Sequence, residues 1–120
     1  MGNEVNKIKI GYANYNIVDE RKKKLDGEFV HRKKELRISP RLDSEGRLNT
    51  LIHETLHGVW FHWGLTEAIE GKNSEEIAVN ALANGLTQVI RDNPEFLKTL
   101  EELAENCVND YSWEETWKQS

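Results

Sequence analysis

The sequence predicts an α+β fold, with a short antiparallel β-sheet in the N-terminal half packed on a helical C-terminal half. Three observations carry that expectation. Apolar and polar residues alternate along "KIKIGYANYNIV" (7–18), the period of a half-buried strand. From residue 44 onward the apolar positions recur at helical spacing instead. Turn formers and caps separate the segments at Asp26-Gly27, Pro40, Gly64 and Asn93-Pro94.

Each element has its own local reason. Ile8, Ile10, Tyr12, Tyr15, Ile17 and Val18 form one extended run, with an irregularity expected near Gly11. "DERKKKLDG" is a polar connection. "GEFVHRKKELRIS" reads as a hairpin whose arms carry Phe29 and Val30 against Leu36 and Ile38, with "HRKK" at the bend and Pro40 closing the second arm. Asp43 or Ser44 can cap a helix that runs to about Trp63, where Gly64 ends it. Leu48, Ile52, Leu56, Val59, Trp60 and Trp63 fall on one broad stripe of that helix, and Gly46 and Gly58 weaken it. A second helix opens near Ser74 with Glu75 and Glu76 in its first turn. Its core face is expected to hold Ala78, Val79, Leu82, Leu86 and Val89, and Glu75 shares that face. A third starts with Pro94 in its first position and is lined by Phe96, Leu97, Leu100 and Leu103.

Composition bounds the function. With 120 residues, 38% hydrophobic and 31% charged, the chain is expected to form one domain spanning residues 1–120. The longest uncharged run, 77–90, is too short for a membrane span, and the N-terminus lacks an apolar signal core, so a cytoplasmic protein without a membrane partner is expected. Cys107, the single cysteine, excludes an internal disulfide and is expected to be a small buried or half-buried hydrophobe. Residues 1–60 carry 12 Lys/Arg against 9 Asp/Glu, and residues 61–120 carry 4 against 12. The basic runs "RKKK" (21–24) and "HRKK" (31–34) have no aromatic residues among them, so they are read as solvated turn and edge residues and no nucleic-acid partner is expected.

The chemistry sits in "LIHETLHGVW" (51–60). His53 and His57 are one helical turn apart, so both imidazoles project to one side and can share a metal ion. Glu54, rotated about 100° from His53, stands beside that ion and can take a proton from a water whose pKa the metal has lowered. A third ligand is needed. A metzincin would place His at position 63, where this chain has Trp63. His62 points to the opposite side of the helix, and Cys107 is distant. Glu75 and Glu76, eighteen and nineteen residues after His57, remain, and either would complete a His₂Glu zinc site with an open position for water.

"HETLH" followed by "EEIAVNALANGL" resembles the zincin domain of the ImmA/IrrE metallopeptidase family, and "GEFVHRKKELRISPRL…TLIHETLHGVW" resembles its small phage- and prophage-encoded members. The likeness covers about residues 27–97; Asn80, Leu82, Ala83 and Leu86 match the family pattern, while Val79 stands where alanine is usual. It implies a zincin-like fold, Zn²⁺ held by His53, His57 and Glu76, and Glu54 as general base. Asn80, one turn from Glu76, is the implied support for that ligand. The resemblance also implies that an extended protein or peptide substrate pairs with an edge strand, for which the arm 35–39 is the candidate. His62, Tyr12 and Tyr111 are candidates for stabilising the oxyanion. The function expected is hydrolysis of peptide bonds by a zinc metallopeptidase. The alternative is a non-enzymatic, zinc-stabilised interaction module of a phage or mobile element that binds a regulator protein. A metal-hydroxide nuclease, favoured only by the basic runs, ranks third.

Overall fold

The computed structural model describes residues 5–21 and 24–119, with side chains through residue 110. Tyr111, Trp113 and Trp117 therefore lie outside the described side chains. The chain divides into two compact units, Met1–Thr87 and Gln88–Ser120.

In the first unit, the alternating N-terminal segment breaks into two strands, β1 (Lys7–Ile10) and β2 (Ala13–Asp19), because Gly11 takes a left-handed conformation (φ 62°) and folds them into a hairpin. The second hairpin forms as its pattern requires, with β3 (Gly27–Val30) and β4 (Glu35–Ile38) joined by the His31–Lys34 turn. The sheet is not purely antiparallel, however. Its order is β1-β2-β4-β3, and the two hairpins join through a parallel pairing of β2 with β4, Asn16 opposite Glu35 and Asp19 opposite Ile38. β4 is therefore interior and β3 is left on the edge, and Leu36 and Ile38, on one face of β4, are both fully buried.

Helix α1 (Ser44–His62) begins where the side chain of Asp43 accepts a hydrogen bond from the Gly46 backbone N–H, and it ends ahead of Gly64 (φ 69°). It packs across β1, β3 and β4. The face it buries differs from the apolar stripe. Thr50, Glu54, Gly58 and Trp60 are the buried residues, whereas Trp63 is exposed, and Ile52 and Leu56 flank an apolar groove shared with Ile8 and Ile17. Small residues let the helix approach the sheet. A methyl group on Gly58 would sit 2.7 Å from Ile10 Cδ1 and 3.1 Å from Phe29, and one on Gly27 of β3 would sit 2.5 Å from Thr50 Cγ2.

Gly58→Ala is accordingly expected to destabilise the protein by about 1–3 kcal/mol through overpacking, despite the better helix propensity of alanine. Gly85→Ala, with nothing within 4 Å of the added methyl, is expected to stabilise by up to about 1 kcal/mol. Denaturant midpoints of the two variants check both signs.

A short helix, α2 (Leu65–Ala68), interrupts the connection to α3 (Ser74–Asp92). The buried line of α3 is Val79, Ala83 and Thr87, while Leu82 and Leu86 are exposed. The inward line runs through Ala83 and Thr87 in place of Leu82 and Leu86, and Glu75, one turn before Val79, lies on it as it does on the expected face. Asn49 of α1 donates to Asn84 (3.0 Å) and Thr87 (3.2 Å), tying the two helices together. In the second unit, α4 runs Pro94–Gln119, and Phe96, Leu97, Leu100, Leu103 and Cys107 are all exposed. The expectation of a buried Cys107 is thus overturned, because one long helix offers its own residues nothing to pack against.

Candidate metal centre

The HExxH turn lies midway along α1, where the helix faces the edge strand on one side and the start of α3 on the other. The Nε2 atoms of His53 and His57 are 3.2 Å apart. The Glu76 carboxylate closes the triangle, with one oxygen 3.2 Å from His53 Nε2 and the other 3.1 Å from His57 Nε2. Ligands about 2.0–2.2 Å from a tetrahedral zinc lie roughly 3.3 Å from one another, so these spacings fit a shared ion. The three side chains form the one group of its kind among the described residues.

The donor set has the right protonation chemistry. His57 Nδ1 lies 2.6 Å from Glu75 Oε2. In the neutral ring that nitrogen donates to the carboxylate, which leaves Nε2 as a lone pair turned toward His53 and Glu76. Burial pushes His53 below the usual imidazole range, and the neighbouring His57 pushes it further, so its neutral form is favoured. With both Nε2 atoms unprotonated, two imidazole lone pairs and a carboxylate converge on one point, an arrangement that a metal ion or a proton between them relieves.

Glu54 takes no part in the triangle. It is 6% exposed and accepts a hydrogen bond from the Phe29 backbone N–H. Burial, with the charges of Glu76 and Glu28 adding to it, pushes its carboxyl up to about 7. In the metal-free protein this has a thermodynamic consequence. The folded state holds a proton that the unfolded chain has released between about pH 4.5 and 7. The stability from this group is therefore complete at low pH and is lost as pH rises through 7. Wild type minus Glu54→Gln, both stripped of metal, is expected to fall by up to about 1.4 kcal/mol per pH unit across that window. A flat difference would contradict the burial argument. Subtraction is needed because His31 and His53, both lowered, act in the opposite sense below pH 6.5.

An open cleft of about 370 Å³ leads to the centre, lined by Gly27, Glu28 and Phe29 of β3 together with His53, Glu54, His57, Glu75 and Glu76. Comparison with protein-family models, curated proteins and solved structures finds no match. What the site can do therefore rests on its own geometry.

The structure brings together the four residues singled out in the sequence, and corrects three details around them. The arm 35–39 is no edge, because β4 is paired on both sides; the free edge beside the cleft belongs to β3. Asn80 is exposed, and the carboxylate against His57 Nδ1 is that of Glu75, which the sequence offers as the rival third ligand or as a first-turn acid, not as a support. Its position one turn before Val79 is the signal that marks it. Finally, neither His62 nor Tyr12 lines the cleft. His62 Nε2 is 2.7 Å from the hydroxyl of Tyr15, and Tyr12 packs edge-on against the His62 ring.

Proposed function

We propose that the protein is a zinc-dependent metallopeptidase that hydrolyses peptide bonds. The observation that carries the reading is the convergence of His53 Nε2, His57 Nε2 and the Glu76 carboxylate at 3.1–3.2 Å with buried Glu54 beside them in an open cleft. His53, His57 and Glu76 would hold the zinc, which supplies a water of lowered pKa and polarises a substrate carbonyl. Glu54, beside the ligands, would accept the proton from the attacking water and return it to the departing amine nitrogen. Glu75 holds the His57 ring in place throughout. The outer edge of β3, where Glu54 already takes the Phe29 N–H, would offer its other backbone groups to an extended substrate lying alongside Gly27–Phe29. Among the described residues no helix is long and apolar enough to cross a membrane.

The test is zinc content of the purified protein followed by incubation with an unfolded protein substrate, with and without chelator. One zinc per chain and cleavage that chelator abolishes and zinc restores are expected. Zinc without cleavage would instead assign the centre to a zinc-stabilised interaction module, and no zinc would remove the reading altogether.

A further inference from the structure

The far end of α1 carries a second cluster with no part in the cleft. Three separated segments meet there: the β1–β2 turn with Tyr12, the β3–β4 turn from His31 to Lys34, and the last turn of α1 with Phe61, His62 and the cap residue Trp63. Their rings form a continuous set. Phe61 lies against His31 at 4.2 Å between centroids, while His62 touches Tyr12 at 5.0 Å and Phe61 at 5.2 Å. The base of this set is held firmly. The fully buried Tyr15 places its hydroxyl 2.6 Å from His31 Nδ1 and 2.7 Å from His62 Nε2. Those separations are hydrogen bonds, shorter than the spacing of ligands around a metal, so the triad is a brace and not a second metal site.

Above the brace, Tyr12, Phe61 and Trp63 remain 77%, 49% and 63% exposed. Beside them the turn presents Arg32 and Lys33 to solvent, and the Lys34 ammonium lies 3.5 Å from His31 Nε2. Glu35, the next residue, is engaged by Arg37 at 3.0 Å. In the sequence the basic run has no aromatic neighbours; folding brings them from α1 and from the β1–β2 turn. A surface of open ring faces flanked by three cations attracts an anionic partner with planar, stackable groups. The exposed apolar groups are aromatic rather than aliphatic, which suits nucleobases better than lipid tails.

We propose that this surface, formed by Tyr12, Phe61, Trp63 and the Arg32–Lys34 turn, binds single-stranded nucleic acid. The bases stack on the rings and the turn contacts the phosphates. The site is independent of the metal centre, since none of these residues lines the cleft.

The experiment is a fluorescence-anisotropy titration of a labelled oligothymidine of about 15 nucleotides with the full chain. Affinity is expected to fall with rising salt. Tyr12→Ala and Trp63→Ala are each expected to weaken binding about 5-fold or more. The double variant Arg32→Glu/Lys33→Glu is expected to weaken it and to flatten the salt dependence. Arg41→Glu, a single charge reversal near the opposite end of α1, leaves binding as it was. A duplex of the same length is expected to bind more weakly, because its bases are already stacked. These side chains are exposed, and circular dichroism verifies that each variant folds. No binding up to about 100 μM, binding untouched by the aromatic variants, or equal affinity for duplex would overturn the proposal. So would Trp63-dependent sedimentation with phosphatidylserine vesicles in the absence of oligonucleotide binding, which would make the surface a membrane contact.

Discussion

Glu54→Gln is expected to keep its zinc and lose about 10²-fold or more of its hydrolytic rate. The substitution preserves size and retains an oxygen that can accept the Phe29 N–H, so the local structure survives. What disappears is the carboxylate beside the ligand triangle that can take a proton from water. Metal binding is left alone because the ligand triangle is closed by Glu76, on a different helix. Zinc stoichiometry and cleavage rate, measured on the same preparation, separate the two effects. Full activity in this variant would refute the general-base mechanism with the metal site still standing. Loss of zinc would show instead that Glu54 is a ligand.

The parts of the fold and site that local chemistry determines were legible in the sequence. The "HRKK" bend, the Asp43 cap and Pro94 each act over a few residues, and each lies where the pattern puts it. The HExxH pair needs only helical spacing to converge, and it converges. What stayed hidden depends on pairings between distant segments. Nothing in β2 or β4 alone says that they run parallel, because that pairing joins two hairpins whose sequences each close on themselves. Gly58 reads as a weak point in a helix, yet it is the place where α1 comes closest to Ile10 and Phe29. Tyr15 looks like one more alternating strand residue until His31 and His62 arrive at its hydroxyl from sixteen and forty-seven residues away. The resemblance picks Glu76 and the apolar face picks Glu75; the rotation of α3, set by Val79, Ala83 and Thr87 rather than by the larger leucines, brings both against the histidines.

That rotation leads to the second large effect. Glu76→Gln is expected to abolish tight zinc binding, because it removes the one carboxylate among the described residues that faces both Nε2 atoms. Glu75→Gln is expected to retain one zinc per chain at saturation, with affinity lowered about 10-fold. Glu75→Ala is expected to lose up to about 100-fold, the range typical of a carboxylate that orients a ligand histidine. The ordering follows from the 2.6 Å contact to His57 Nδ1. A glutamine oxygen can still accept that N–H and hold the ring, but without the negative charge that makes Nε2 a stronger donor. Alanine leaves the ring free to turn. Competition against a chromophoric chelator measures all three affinities on the folded protein without reference to any substrate. If Glu75→Gln lost the metal and Glu76→Gln kept it, the ligand and its support would have to be exchanged. A Glu75→Ala variant with undiminished affinity would show that the contact to His57 contributes nothing to holding the ion.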